Sequence, residues 1–161
     1  MKKRQTKPDE RIFVFKVYQW VAGKNSPYRI LAIPEEFTLY DFAYVITDSF
    51  DFYFDHAFGF YNHLTRYNDA TEAYESFYDD PKTRYECPSF VKGVKTTPMN
   101  TVFNEIGKQM LFFFDYGDNW KFRVELLRIE PAEPGKKYPE CVQSVKKARQ
   151  QYPDEDWDED E

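Results

Sequence analysis

The residue types best suited to chemistry lie in one short segment between two aromatic runs. Asp115, Tyr116, Asp118 and Trp120 occur within six consecutive positions. Carboxylates can bind a cation or transfer a proton, and an indole can stack on a ligand. The same residues also suit a rigid turn, because Asp side chains accept hydrogen bonds from turn amides and Gly117 tolerates a positive φ. The segment therefore has both a functional and a structural interpretation.

His56 is the one further residue that could complete a site with this segment. It follows Asp55 and precedes an aromatic run, and histidine titrates near neutral pH and binds metals. A site here requires Asp55 and His56 to lie beside the 115–120 turn. The alternative is a half-buried histidine that caps a turn, and we expect His63 at the surface. The candidate ligand rim comprises His56, Asp115, Tyr116, Asp118 and Trp120.

Patterns typical of known catalytic or cofactor sites are missing from the sequence. It has no phosphate-binding Gly-rich loop, no His-Glu-x-x-His zinc helix and no nucleophile elbow. With two histidines, a metal site of the three-His kind is excluded. We therefore assign no catalytic residue, no cofactor and no metal. The sequence leaves an enzyme open but favours a non-catalytic protein.

Cysteine usage and hydropathy indicate a cytoplasmic protein. Cys87 and Cys141 lack Cys-x-x-Cys spacing, which predicts two unpaired thiols in a reducing compartment. No apolar run approaches the roughly 20 residues of a membrane span. The basic start is not followed by the apolar segment of a secretory signal. We expect no membrane partner.

The net charge of −6 is distributed unevenly along the chain. Segment 154–161 holds seven acidic residues, which leaves a sum of +1 for the rest. Blocks of like charge usually stay solvated, so we expect a disordered basic start over 1–10, a single domain over 11–153 and a disordered acidic tail over 154–161. The tail is either a solvated end or a docking segment for a basic partner. A nearly neutral body disfavours nucleic-acid binding without excluding it.

The first half of the chain predicts the elements that lead to His56. Segment 11–20 is β-branched and aromatic, which predicts a strand, and 28–33 predicts the returning strand. Thr38 is a good N-cap with Asp41 as its capping-box partner, and an apolar stripe at helical spacing follows as far as Phe50. The second half of 51–62 alternates and predicts a third strand.

The second half of the chain predicts a hairpin after an irregular insert. We expect two helical turns over 71–78, a loop over 79–98, and a short helix that ends at Gly107. The hairpin follows over 108–129, and the remainder is expected to be irregular. Aromatic residues make up 20% of the chain and favour strands. The predicted fold class is α+β: a mostly antiparallel, aromatic-rich sheet with a β-hairpin, one principal helix and shorter helices packed on one face.

Several blocks resemble a known family in the expected order along the chain. Segment 38–50 looks like the family's helix, Asp55-His56-Ala57-Phe58-Gly59-Phe60 like its Asp-His-Leu-x-x-Phe block, and Phe114-Asp115-Tyr116-Gly117-Asp118-Asn119-Trp120 is similar to its Tyr-Asp-Phe-Gly-Asp-x-Trp signature. Segments 137–141 and 151–153 look like its C-terminal Tyr-Pro and Gln-Tyr-Pro blocks. The chain thus resembles the Ri-plasmid open-reading-frame-three-like family (plasmid pRiA ORF-three-like), a family of unknown function.

The resemblance implies a compact α+β domain that is often found on plasmids or mobile elements. It implies no activity that can be carried over residue by residue. The chain departs from the family pattern at Ala57, where members often have His or a large aliphatic residue. Segment 142–148 also lacks the glycines and prolines of many members.

Three functions remain open from the sequence. The leading hypothesis is a non-catalytic cytosolic binding module for a protein or peptide partner, since Tyr, Trp and Phe anchor interfaces well. The first alternative is a metal-binding or hydrolytic enzyme that uses His56, Asp115 and Asp118. The second is a nucleic-acid-associated accessory protein. The first alternative depends on whether segments 55–60 and 115–120 line the same cleft.

Overall fold

The computed structural model describes residues 2–21 and 25–153, in which most strands join one antiparallel sheet. Its strands and helices are β1 Arg4–Gln5, β2 Arg11–Gln19, β3 Tyr28–Pro34, α1 Leu39–Ser49, β4 Phe58–Tyr61, β5 Ala73–Glu75, α2 Ser76–Asp79, α3 Met99–Val102, β6 Gln109–Phe114, β7 Trp120–Pro131, β8 Lys137–Tyr138 and β9 Glu140–Val145. Short 3-10 turns occur at Tyr67–Asp69 and Arg84–Glu86. The main sheet has seven described strands in the order β5-β4-β6-β7-β2-β3-β9, and β1 pairs with β8. The predicted α+β class is confirmed.

Helix α1 forms where the sequence predicts it, because its first turn has a complete capping box. The Thr38 hydroxyl accepts a hydrogen bond from the Asp41 amide at 3.1 Å, and the Asp41 carboxylate accepts one from the Thr38 amide at 3.3 Å. The apolar stripe of the helix, which includes Phe42 and Ile46, is fully buried against one face of the sheet. The rings of Phe15 and Phe42 lie 4.4 Å apart by centroid. This inner face holds the main core.

The outer face of the sheet is covered only in part. Residues of the 62–98 insert, among them Val91, pack over Leu111 and Phe113 on β6. At the other side, Tyr138 packs over Ile12 on β2. The middle of the outer face lies between these two small clusters.

The predicted helix over 71–78 is wrong in its first half. Ala73–Glu75 forms strand β5 against β4, with Tyr74 opposite Phe60, and helix α2 begins only at Ser76. The Tyr74 side chain is buried in the main core. Pairing with an edge of the sheet therefore outweighs the local helical pattern.

The predicted short helix before the hairpin ends earlier than expected. Helix α3 stops at Val102 because the next residue, Phe103, turns into the core. Gly107 has φ +92° and lies in the turn before β6, where its amide donates to the Leu126 carbonyl at 2.8 Å. The glycine is therefore needed for the turn rather than as a helix cap.

Both ends of the described chain are more regular than the sequence predicts. Segment 136–145, expected to be irregular, contains β8 and the edge strand β9. Part of the start that we expected to be disordered forms β1, since Arg4 pairs with the buried Glu10 carboxylate at 2.9 Å and holds it in place. The predicted acidic tail, 154–161, lies outside the described residues.

Two further predictions concern membrane-spanning helices and the cysteines. In the described part of the chain, no helix has the length and apolar character needed to cross a membrane. Cys87 and Cys141 are both free thiols, as expected from their spacing.

Candidate functional site

The turn between β6 and β7 is organised by Asp115. Its Oδ1 accepts hydrogen bonds from the amides of Gly117 at 3.0 Å and Asp118 at 3.2 Å. Asp115 itself has φ +66° and Asn119 has φ +58°, so these residues, and not Gly117, take the left-handed conformation. Gly117 serves by lacking a Cβ, which would lie 3.3 Å from Asp115 Oδ1. The turn thus fixes one carboxylate and leaves its second oxygen free of these amides.

That second oxygen faces His56. Asp115 Oδ2 lies 3.4 Å from His56 Nε2; the carboxylate side chain is 7% exposed and the imidazole 40%. The two segments meet because β4 pairs with β6 and the Asp115 amide donates to the Ala57 carbonyl at 2.9 Å. Segments 55–60 and 115–120 therefore meet where β4 begins and β6 ends.

Tyr152 joins Asp55, His56 and Asp115 in one group of polar side chains, here called the cluster. The sequence did not predict Tyr152 as a site residue. Its hydroxyl donates to Asp55 Oδ2 at 2.8 Å and lies 2.9 Å from His56 Nε2. Because the hydroxyl proton goes to Asp55, its oxygen can accept the Nε2 proton of His56, and the network assigns this tautomer. The hydrogen bond to Asp55, aided by burial and the nearby acidic groups, raises the pKa of Tyr152 to about 12. The hydroxyl therefore keeps its proton at neutral pH.

The segment 146–153, here called the C-terminal strap, delivers Tyr152 to the cluster. Buried Gln19 makes two hydrogen bonds with the backbone of Arg149, at 2.8 and 3.1 Å. Buried Arg29 donates to the carbonyl of Lys146 at 3.0 Å. Gln151 accepts from the Tyr53 amide at 2.7 Å and donates to Asp55 at 3.0 Å. Three buried polar side chains thus hold the strap in register with the site.

Tyr116 lies on the outer face of the sheet, whereas His56 packs against Phe114, which belongs to the inner core. Its hydroxyl lies 2.6 Å from that of Tyr61, which in turn donates to Glu75. The ring packs on Phe113 at 4.8 Å. Burial raises the pKa of Tyr116 and of Tyr61 well above the ordinary value. Tyr116 is therefore a member of the smaller outer cluster, and the structure does not bring it to His56.

Among the described residues, neither Asp118 nor Trp120 forms a hydrogen bond or ion pair with His56, although Asp118 is one of the acidic groups that raise the pKa of Tyr152. The Asp118 amide bonds to Asp115, but the residue lines a separate cleft together with Trp20 and Trp120. The Trp120 ring packs on Phe52 at 4.9 Å. Its buried Nε1 has no hydrogen-bond partner in the described part of the chain. Of the predicted rim, the structure thus brings together only His56 and Asp115.

A groove of about 610 Å³ opens beside His56. Its apolar lining comes from Tyr40, Phe54 and Phe58, and its acidic lining from Asp55, Asp79 and Asp80. Across residues 2–21 and 25–153, no Lys or Arg forms an ion pair with any of these three carboxylates. The Lys95 ammonium lies 5.1 Å from the centre of the Tyr40 ring in the same groove. The groove combines an aromatic floor with a surplus of negative charge.

The cluster has limited means for covalent chemistry. The Ser76 hydroxyl, which lines the groove, donates to the Phe58 carbonyl at 3.1 Å and accepts from the Phe58 amide at 3.0 Å, so both its functions are used. Among the described residues, no group of three or more His, Cys, Asp or Glu side chains could hold a metal ion. What the geometry offers is a partly exposed imidazole held between carboxylates.

Comparisons with known proteins address the family and the fold. A family model described as "Plasmid pRiA4b ORF-3-like protein" matches residues 12–159. No curated protein matches the sequence. A crystal structure described as a "Protein of Unknown Function MM3350 from Methanosarcina mazei Go1" has a similar fold, with a TM-score of 0.69 and 21% sequence identity over 88% of this chain and 73% of that one. At that identity the likeness concerns the fold alone.

Proposed function

We propose that this chain, which belongs to the plasmid pRiA4b ORF-3-like family, is a non-catalytic cytosolic binding domain for a protein or peptide partner. The groove beside His56 takes a cationic side chain of that partner. The observation that carries the proposal is the ring of carboxylates, Asp55, Asp79 and Asp80, around an aromatic floor. An association with plasmids or mobile elements, as the family name suggests, is part of the same proposal.

The chemistry of the groove fits a lysine or arginine side chain. A cation over an aromatic ring is attracted by the ring quadrupole, and the contact of Lys95 with Tyr40 is an example within this groove. Arginine also matches carboxylates with two parallel hydrogen bonds. Two of the carboxylates are held by backbone amides, because Asp79 accepts the amide of Val94 at 2.8 Å and Asp80 accepts that of Lys82 at 2.9 Å. A cationic group would therefore meet a preorganised site.

Exposed aromatic rings beside the cluster extend the surface available to a partner. Tyr53 and Tyr152 are 71% and 48% exposed, and their rings stack with centroids 6.5 Å apart. Tyrosine is enriched at protein interfaces because it offers a large contact area with few rotatable bonds. The pair suits contact with the backbone or side chains that flank the cationic residue.

The test is titration of the full chain with a short lysine- and arginine-containing peptide. The double variant Asp79→Asn and Asp80→Asn keeps the hydrogen-bond acceptors and removes two charges. We expect the affinity to fall about 3- to 10-fold at low salt, since each exposed ion pair contributes about 0.2–1 kcal/mol. Asp69→Asn, together with Glu36→Gln, removes the same charge outside the groove and should leave affinity unchanged.

Two results would contradict the proposal. One is equal binding of a glutamate-containing peptide of the same length. The other is equal weakening by the groove variant and by the control variant, which would point to net charge rather than to the groove. Calorimetry or fluorescence anisotropy measures both affinities.

One specific observation favours a second candidate, an acid–base enzyme. His56 lies 3.4 Å from the buried Asp115, and the assigned tautomer leaves a lone pair on Nδ1. The Asp118 carboxylate, which the metal-binding or hydrolytic hypothesis also used, lines another cleft. Hydrolysis of an activated ester that is lost in His56→Gln and retained in His63→Gln would support this candidate over the binding domain.

A further inference from the structure

We propose that the uncovered middle of the outer sheet face binds single-stranded nucleic acid. We call this surface the sheet platform. It consists of Lys16, Tyr18, Trp20, Tyr28, Lys121 and Arg123. It lies on the other face of the sheet from α1 and does not share residues with the groove beside His56. The inference is therefore independent of the proposed peptide site.

The platform residues form rows across neighbouring strands. Tyr18 on β2 is opposite Tyr28 on β3 and Arg123 on β7. The next residue of the same face, Lys16, is opposite Glu125. Trp20 follows the end of β2, where its amide donates to the Lys121 carbonyl at 2.8 Å. Aromatic and basic side chains thus lie next to one another over one continuous surface.

The surface is open to a ligand. Trp20 is 52% exposed, and the other platform side chains are half-buried. At one side the insert reaches the platform, where the Lys121 ammonium donates to the Thr65 carbonyl at 2.9 Å. The two outer clusters lie to either side, around Leu111 and around Ile12. Between Trp20 and the insert residue Leu64 there is also a small slot of about 90 Å³. A flat ring has room to approach the indole from this side.

The platform carries an excess of positive charge on an acidic protein. It holds Lys16, Lys121 and Arg123 against two carboxylates, Glu125 and Asp118, the second of which lines the cleft shared with Trp20 and Lys121; the whole chain has a net charge of −6. In the described part of the chain none of these three cations forms an ion pair. The net charge of the chain without its acidic tail is close to zero, which disfavours nucleic-acid binding. A net charge, however, does not reveal where the cations cluster.

The cations are held close to the rings. The Lys16 ammonium lies 4.4 Å from the centre of the Tyr28 ring, and the Arg123 guanidinium lies 5.6 Å from that of Tyr18. Arg123 also donates to the Tyr18 hydroxyl at 3.2 Å. A ligand would meet both a ring and a charge at each position.

This pattern matches a single strand better than an acidic peptide. Proteins that bind single strands combine cations along the backbone with rings on which bases stack. Neighbouring strands are about 4.8 Å apart and alternate residues about 7 Å apart, so the platform spans roughly two or three nucleotides. An acidic peptide would use the cations alone and would leave the exposed Trp20 ring without a role.

Anisotropy of a labelled 12-nucleotide oligothymidine, titrated with the full chain at low salt, tests the inference. We expect weak binding that falls steeply as salt increases. Trp20→Ala should weaken it by about 5-fold or more, since a stacked base contributes about 1–3 kcal/mol, whereas Trp20→Phe should retain most of the affinity. The double variant Lys16→Gln and Arg123→Gln should weaken it about 10-fold.

A matched control separates the platform from overall charge. Lys7→Gln with Lys136→Gln removes the same charge from two residues that pair with carboxylates elsewhere. Equal losses in the control and the platform variants would overturn the inference. So would the absence of low-salt binding, or binding of a polyglutamate peptide with equal affinity and no dependence on Trp20. Circular dichroism of each variant checks that the fold is kept.

Discussion

Asp115 and Tyr116 are neighbours in sequence, yet they belong to two regions with opposite properties. Asp115 faces His56, Asp55 and Tyr152 at the mouth of an open groove. Tyr116 faces the other way, into a buried chain of hydroxyls that ends at Glu75. The first region presents polar atoms to solvent, and the second removes them from it. Neighbouring residues of a strand point to opposite faces in any case. The positive φ of Asp115 decides which of the two joins Phe113 on the outer face, and it is Tyr116.

The two tyrosines show how environment decides what a residue can do. The pKa of Tyr152 is raised chiefly by a hydrogen bond to the Asp55 carboxylate, and the residue remains open to a ligand. The pKa of Tyr116 is raised chiefly by burial. A raised pKa therefore has different causes in the two regions. Beside His56 it reflects the hydrogen bond to Asp55, and in the outer cluster it reflects packing.

The largest expected difference between the regions is in stability. Tyr116→Ala should lower the free energy of unfolding by about 2–4 kcal/mol, because its partly buried ring packs against the outer cluster. Tyr152→Ala should have a much smaller effect, because its ring is about half exposed. Denaturation in guanidinium chloride measures both values. Equal losses would mean that the strap is as important to the fold as the outer cluster.

The second-largest expected effect is a loss of folding stability at alkaline pH, caused by the tyrosines of the outer cluster. The folded-state pKa of Tyr61 and Tyr116 lies above the unfolded value of about 10, so their contribution is fully present below pH 10 and is lost as pH rises beyond it. Each such group should lower stability by about 1.4 kcal/mol per pH unit above 10. The free energy of unfolding between pH 9 and 11, compared with that of Tyr116→Phe, tests this slope. An identical slope in the variant would show that Tyr116 does not contribute.

The turn that separates the two regions depends on one carboxylate. Asp115→Ala removes the acceptor of two turn amides and places alanine at a positive φ, which should cost about 1–3 kcal/mol. Asp115→Asn keeps an acceptor and tolerates this backbone, so it should cost less. Urea denaturation of the pair measures the difference. If both variants lose the same stability, then charge and not turn geometry is what matters.

The smallest expected effect is at the strap. Gln151→Ala removes the acceptor of the Tyr53 amide and should cost about 1 kcal/mol. The Tyr53 amide should then exchange its hydrogen faster, while the Tyr74 amide in the sheet should be unaffected. Hydrogen exchange followed by NMR detects both sites. Unchanged exchange at Tyr53 would show that the strap is held in another way.

The sequence predicted those elements whose signals are local. Helix α1 has its cap and stripe within a dozen residues, and β2, β3 and the β6–β7 hairpin have aromatic and β-branched runs bounded by turn residues. Strands β5 and β9 were missed because they form only by pairing with strands already in place. Such pairing has no periodic signature in three to six residues.

The residues of the candidate site also divide into those whose role the sequence predicted and those whose role it did not. The sequence predicted that Asp115 or Asp118 accepts hydrogen bonds from the turn amides, and the structure assigns this role to Asp115. The orientation of Tyr116 did not follow, because the left-handed Asp115 redirects the chain. Tyr152 was missed as a site residue because it meets Asp55 across 97 positions, and only the fold brings the two together. The polar anchors of the strap, Gln19 and Arg29, were missed because they occur in strands that otherwise predict a simple core.

The strap also sets when the Tyr152 hydroxyl can reach His56 during translation. The sheet and α1 consist of residues before 146, whereas Tyr152 is among the last residues of the domain to leave the ribosome. Domains fold as units while their chains emerge, N-terminal parts first. A nascent chain that has not yet released Gln151 and Tyr152 therefore lacks the hydroxyl beside His56.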